Sequence, residues 1–175
     1  MTIRYYNVHA SKSTVSATFE LPIAPYGISD SASTILIPFK AVRLKKIEMW
    51  CNYRPNEGVA GNTINLNIVE RRQARPIEWS DTATFFSPAH ISKKFSKFDP
   101  LGLWYITTNS ESNPEVTLQL PYEAVCDITF DYIVQDGESC GSSVGSSLAY
   151  PKVYTNRINT NLAPVGKSYT AVITM

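Results

Sequence analysis

The side chains able to do covalent or acid–base chemistry are few, and they do not converge. The two histidines are His9 and His90. His9 stands near the N-terminus, and His90 follows Pro88-Ala89 in an extended stretch, where a hydrogen-bonded structural role is expected. Asp127 and Asp131 share one face of a strand. Four residues of extended chain separate them by about 13 Å, which is wide for a catalytic carboxylate pair. Asp136 and Glu138 do not make the dense acidic loop that calcium requires. Gly-x-Ser-x-Gly, a phosphate loop and His-Glu-x-x-His are all absent from the sequence. The three cysteines, Cys51, Cys126 and Cys140, are odd in number and lack metal-type spacing. They read as free thiols, buried where the context is apolar, in a protein made inside a cell. No catalytic residue, metal or cofactor is expected, and an enzyme is the least favoured class.

Basic and aromatic side chains offer binding chemistry instead. Arg71, Arg72 and Arg75 form the sharpest basic cluster, and Lys93, Lys94 and Lys97 form a second. Arg4 and Lys12 flank a Tyr5-Tyr6 pair near the N-terminus. The net charge of +1 hides an asymmetry. Residues 1–97 carry 13 Lys/Arg against 7 Asp/Glu, a net of +6, whereas residues 98–175 carry 3 against 8, a net of −5. Such a split predicts one surface more positive than another.

The elements that must position these groups read as strands. The 175 residues suffice for one domain with a sizeable core, and 43% are hydrophobic. Val, Ile, Thr and aromatic residues are abundant, and eleven prolines interrupt any helical stripe. No signal peptide or apolar run of membrane-spanning length is visible. Residues 14–21, 63–70, 115–120 and 124–134 alternate apolar and polar side chains with the two-residue period of a half-buried strand. Residues 42–53 form a longer strand whose apolar phase slips between Leu44 and Ile47, which predicts a bulge or a strand covered on both faces. Residues 33–39, 82–95 and 101–107 are further strands; residues 148–155 and 169–173 are weaker ones. Residues 137–147, rich in Gly and Ser, read as a loop. Eight main strands with this spacing predict an all-β, antiparallel sandwich. Residues 1–13 read as an N-terminal arm and 14–175 as the domain.

Three segments in fixed order carry a family likeness. They are VRLKKIEMWCNY (42–53), SDTATFFSPAHISKKFSKFDPLGLWY (80–105) and YEAVCDITFDYIVQDGE (122–138). In the second, Ser80-Asp81-Thr82 is followed by Pro88-Ala89-His90 and closed by Leu101 and Trp104. Over about residues 40–138 the chain resembles capsid proteins of small circular Rep-encoding single-stranded DNA viruses. It is similar in particular to those whose capsids look like the shells of small positive-strand RNA viruses.

That resemblance implies a single eight-stranded jelly roll, with sheets B-I-D-G and C-H-E-F. It also implies a T=1 icosahedral shell of about sixty copies around single-stranded DNA, found in the virion and, during assembly, in the host cell. The strand letters expected are B at 14–21, C at 42–53, D at 63–70, E at 82–95, F at 101–107, G at 115–120, H at 124–134 and I near 148–155. Residues 33–39 compete for B and 169–173 for I.

With the B-I-D-G sheet inward, Arg4 and Lys12 are expected on phosphates, and Tyr5 and Tyr6 on unpaired bases. Arg71, Arg72 and Arg75 would lie on the loop that relatives place at a five-fold axis, near nucleic acid. Trp79, Trp104, Tyr150 and Tyr154 are the candidate anchors of subunit interfaces, each equally able to belong to the core. Lys93 and Lys94 are assigned there too, because the C-H-E-F sheet would lie outward. Many relatives carry an Arg-rich N-terminal arm, whereas residues 1–13 hold only Arg4, Lys12 and His9. The competing reading is a non-viral β-sandwich module that binds carbohydrate or a protein partner. No membrane partner is expected, and no receptor is legible.

Overall fold

The computed structural model describes residues 1–7, 14–20, 26–29, 34–69, 76–106, 114–134, 140–143, 153–155 and 162–164. Along the chain the strands are β1 (Thr2–Asn7), β2 (Val15–Glu20), β3 (Tyr26–Ser29), β4 (Thr34–Ile37), β5 (Phe39–Cys51), β6 (Thr63–Val69) and β7 (Ile77–Thr82). They continue with β8 (Ala89–Lys94), β9 (Tyr105–Ile106), β10 (Glu115–Leu120), β11 (Val125–Val134), β12 (Cys140–Ser143), β13 (Val153–Thr155) and β14 (Leu162–Pro164). Short 3-10 turns at Val59–Asn62 and Pro100–Gly102 are the only helical elements among the described residues.

One sheet has the order β14-β1-β11-β5-β8, with β9 also paired to β5. A second has the order β2-β10-β6-β7. All of their described pairings are antiparallel. Lettering β1, β2, β5, β6, β7, β8, β10 and β11 as B to I in chain order turns these two paths into B-I-D-G and C-H-E-F. The chain is therefore an antiparallel jelly roll by its own strand order. A smaller sheet, β12-β4-β3-β13, joins the connection between strands C and D to the chain beyond strand I.

The letters expected from the sequence were displaced by one strand. Residues 2–7 are not an arm: they form strand B, paired to β11 from Thr2 opposite Thr129 to Tyr6 opposite Val125. Residues 14–21, 42–53, 63–70, 115–120 and 124–134 consequently contain C, D, E, H and I. The expected strand 82–95 is broken by a tight turn, leaving β7 as F and β8 as G. The expected F at 101–107 is a 3-10 turn followed by the two-residue β9 at the edge of β5. Residues 33–39 enclose β4, and of 148–155 only β13 is described; both strands belong to the small sheet. Residues 169–173 lie outside the described residues.

Alternation builds the core. Ile3 and Tyr5 of β1, Cys126, Ile128 and Phe130 of β11, and Leu44, Ile47 and Met49 of β5 point inward. They meet Ala17 of β2, Val116, Leu118 and Leu120 of β10, and Ile64, Leu66 and Ile68 of β6 in one cluster. Each large side chain buried there contributes about 1.5–3 kcal/mol of apolar transfer. The expected phase slip in β5 is a bulge. Thr129 pairs with Lys46 and Phe130 with Leu44, leaving Lys45 as the extra residue. The bulge lets Leu44 and Ile47 face the same core although they are three residues apart.

Gly102 closes the 3-10 turn against the segment after β8. A Cβ on Gly102 would lie 1.9 Å from the Ser96 carbonyl oxygen, which is backbone and cannot rotate away. Gly102→Ala is therefore expected to cost about 1–3 kcal/mol, as other overpacking changes do. Urea denaturation measures it, and an unchanged midpoint would refute the close approach.

Candidate assembly and nucleic-acid surfaces

The outward face of the B-I-D-G sheet arranges its polar side chains in cross-strand rows. Tyr6, Val125, Trp50 and His90 form one row, and Arg4, Asp127, Glu48 and Ser92 the next. Thr2, Thr129, Lys46 and Lys94 form a third. Arg4 holds Asp127 through two bonds, Nε to Oδ1 at 2.7 Å and Nη2 to Oδ2 at 2.6 Å. Its guanidinium also lies 6.0 Å from the centre of the Trp50 ring. His90 stacks on Trp50 with centroids 5.4 Å apart, and its Nε2 lies 3.3 Å from Glu48 Oε1. Lys46 reaches the other oxygen of Glu48. Beyond the bulge, Arg43 Nη2 donates to Asp131 Oδ2 at 2.7 Å, with Lys45 3.5 Å from the same oxygen. Arg43 also lies 4.9 Å from the Trp104 ring centre.

The cations Arg4, Arg43, Lys45, Lys46 and Lys94 thus outnumber the carboxylates Glu48, Asp127 and Asp131 on this face. The opposite face, on C-H-E-F, is different. Ser16, Thr18, Thr63, Asn65, Asn67, Ser80, Thr82, Thr117 and Gln119 cover it, with Glu78 and Glu115 as acidic members. No Lys or Arg points outward from it among the described residues. Among the described residues the faces do not follow the two sequence halves: Asp127 and Asp131 of the acidic half lie on the more cationic face, and Glu78 of the basic half lies on the other.

The sequence-predicted site residues fall in several places. Tyr5 is fully buried in the core, so its expected stacking on bases is corrected: no face of its ring is open. Burial also pushes its phenol well above the ordinary value. Arg4 is outward, with its fork committed to Asp127. Tyr6 is half-buried on the outward face, opposite Val125. Trp79 points inward at the edge of β7 and packs against the core, with Lys93 Nζ 4.6 Å from its ring centre. Trp104 is 43% exposed. Lys94 is exposed on the B-I-D-G face, not on C-H-E-F as its expected strand letter implied. Tyr154 lies in β13 opposite Gly27. Lys12, Arg71, Arg72, Arg75 and Tyr150 lie outside the described residues, as do Asp136 and Glu138. Cys51 and Cys126 are buried free thiols, as their apolar contexts predicted.

A second surface is made by loops. The turns after β5, β7 and β10 and the start of β2 gather at one end of the sandwich. Thr14 Oγ1 donates to the Ala60 carbonyl at 3.2 Å, and the Ala83 amide to the Asn62 carbonyl at 2.8 Å. Arg54 lies 4.8 Å from the Tyr122 ring centre. Buried Asn62 organises the 52–62 turn: its Oδ1 accepts from the Arg54 amide at 2.7 Å, and its Nδ2 donates to Glu57 O at 2.8 Å. On this end Phe85 is 80% and Phe86 93% exposed. The available signal was the Phe-Phe pair just before Ser87-Pro88. It reads as strand propensity, because the turn lacks glycine.

No group of three or more metal-ligating side chains occurs among the described residues, and no helix there is long and apolar enough to cross a membrane. What the fold and surfaces define is a jelly-roll domain with two chemically distinct faces and an apolar loop end. No protein-family model matches the chain, and no curated protein does. Among solved structures it is similar to that of black queen cell virus, at 8% identity and a TM-score of 0.41. That match covers 78% of this chain and 63% of the other, so the chain spans under two thirds of it. It is also similar to the cryo-EM structure of broad bean stain virus (10% identity, TM-score 0.37, 87% and 92% covered). A third likeness is to Desmodium yellow mottle tymovirus (8% identity, TM-score 0.31, 71% and 91% covered).

The ion pairs of the B-I-D-G face set an acid limit. The bond from Arg43 holds the Asp131 carboxyl below its ordinary value, and that from Lys46 does the same for Glu48. The Ser96 amide lowers Asp99 likewise. A carboxylate with a depressed folded pKa stabilises the fold above its unfolded pKa, about 4, and that contribution fades as pH falls through the lower folded value. The thermal midpoint is expected to hold from pH 7 to about 5 and to drop below about 4. Asp131→Asn should shallow the drop; a variant with the wild-type acid slope would remove Asp131 from the account.

Proposed function

We propose that this chain is a viral capsid protein. About sixty copies close into a small icosahedral T=1 shell around single-stranded DNA, with the B-I-D-G face turned toward the genome. The observation that carries the reading is the strand order B-I-D-G over C-H-E-F, joined to the ordered motifs of residues 42–138 that resemble such capsids. A jelly roll alone hosts many functions, lectins and cupins included. Surface chemistry therefore supplies the second support. Of the two faces, B-I-D-G is the one with surplus cations for phosphate neutralisation among the described residues. Exposed aromatic and aliphatic side chains lie at both ends of the sandwich, with Tyr53, Val59, Phe85 and Phe86 at one and Phe98, Leu103, Trp104 and Ile106 toward the other. Apolar groups left open on a lone domain are the raw material of interfaces.

In this reading Lys94 meets phosphates directly, whereas Lys46 and Arg4 exchange Glu48 and Asp127 for phosphate only if those pairs open. Tyr6 is the tyrosine of the pair available to a base. Lys12, Arg71, Arg72 and Arg75 remain proposed nucleic-acid contacts. Trp104, with Tyr150 and Tyr154, remains a proposed interface anchor, while Trp79 and Lys93 act together at the sandwich edge. The shell is the virion, assembled in the host cell.

The test is size. Purified protein is expected to elute as uniform closed particles, visible by negative-stain microscopy, that carry excess absorbance at 260 nm and lose nucleic acid in high salt. A 19.5 kDa monomer at every salt and pH would favour the alternative, a β-sandwich binding module for carbohydrate or a protein partner.

A further inference from the structure

Strand β8 is the last strand on the path of the B-I-D-G sheet, so its outward side chains stand at the rim of that face. They are His90, Ser92 and Lys94, which alternate with the inward Ala89 and Ile91. His90 is fixed at three points. Asp81 clamps the hairpin between β7 and β8, its Oδ1 accepting from the Thr82 amide at 2.9 Å and its Oδ2 from the His90 amide at 2.7 Å. The imidazole stacks on Trp50 with the two planes 11° apart, and its Nε2 lies 3.3 Å from Glu48 Oε1. One face of the ring is thus turned to Trp50 and the other away from it, and 45% of the side chain is open to solvent. Trp50 itself is half-buried, covered by His90 from β8 and approached by the Arg4 guanidinium from β1. The row of stacked groups therefore ends on an open aromatic face at the rim of the sheet.

We propose that this open face of His90 stacks on an unpaired base of a single-stranded nucleic acid whose phosphates pass Lys94. The inference rests on the assembly reading above and adds to it the place where a base meets the protein. Three features select this ligand. The ring is oriented before anything binds, so stacking on it costs little further ordering. Lys94 is exposed on the same face of the same strand, roughly 13 Å further along, with Lys46 opposite it on β5. A strand lying along the rim can then place a base on the ring and a phosphate at the ammonium group. Finally, the cations of this face outnumber its carboxylates among the described residues, so the face favours a polyanion. A duplex serves less well, because its bases stack on one another and leave no ring free for His90. An aromatic side chain of a protein partner matches the ring but brings no negative charge to the surrounding cations. Stacking reads only the flat face of a base, so the contact is tolerant of sequence.

The test compares a labelled oligodeoxythymidine with an abasic strand of the same length. Binding to the unassembled chain is followed by fluorescence anisotropy at one salt concentration. His90→Ala should weaken binding of oligodeoxythymidine about tenfold and leave binding of the abasic strand unchanged. His90→Phe retains a ring and should bind oligodeoxythymidine much as the wild type does. Lys94→Ala should weaken both strands alike, because it removes a phosphate contact. In a second arm, a strand carrying 5-iodouracil is irradiated in the complex, and mass spectrometry should find the cross-link at His90. Equal affinity of wild type and H90A for oligodeoxythymidine, with no cross-link at His90, would overturn the stacking and leave the capsid reading standing. An equal loss on the abasic strand would also overturn it, assigning His90 to a phosphate or to the shape of the face. Assembly weakened by H90A, with oligodeoxythymidine binding intact, would give the ring to a protein contact instead. A wild-type chain that binds neither strand and stays monomeric would overturn both readings.

Discussion

Two apolar sheet faces must meet without water between them, and every other feature of the molecule depends on that contact. Strand β11 shows the constraint most clearly. It lies between β1 and β5, so both of its edges are hydrogen-bonded, and Cys126, Ile128 and Phe130 are fully buried beneath it. Its alternate residues, Asp127 and Asp131, are thereby forced outward. There each finds an arginine on a neighbouring strand, Arg4 on one side and Arg43 on the other. The charge ladder of the B-I-D-G face is thus a by-product of core packing. Had the register slipped by one residue, the carboxylates would enter the core and the arginines would lose their partners.

The same alternation explains what was legible in the sequence. β6, β10 and most of β11 could be read directly, because each has one wholly apolar face. The bulge in β5 was legible because inserting Lys45 shifts the phase of a strongly patterned strand. β1 was missed for a physical reason: its third inward residue is Asn7, a polar side chain buried because its Nδ2 donates to the Leu120 carbonyl at 2.9 Å. With Asn7 counted as polar and Tyr6 as apolar, the period dissolves. The break between β7 and β8 was hidden in another way. Thr-Phe-Phe-Ser has strand propensity, and the turn is set by the Asp81 clamp rather than by glycine. One missed strand then displaced every letter after it, although the final sheet orders were the ones expected.

The surface was less legible than the core. Basic clusters can be counted in a sequence, but their neutralisation by residues more than a hundred positions away cannot. Arg4 looked like a free phosphate ligand until the pairing of β1 with β11 set it against Asp127. Trp79 could be read as an interface anchor or as core, and the register, which sets it opposite Leu66, places it on the inward side. The exposure of Phe85 and Phe86 carried no positional signal, because it depends on the turn and not on residue type.

The placement of strand B also has a consequence in time. Thr2 is opposite Thr129, so the first strand waits for a partner made more than a hundred residues later. At a synthesis rate of about 5–20 residues per second, that wait is on the order of ten seconds. Throughout it Ile3 and Tyr5 have no sheet to enter, and the edge of β11 has yet to exist. The nascent chain therefore carries an unpaired, apolar β-segment from the time residues 2–7 are made until β11 emerges. Its maturation is late, because the B-I-D-G sheet cannot close before β11 is made.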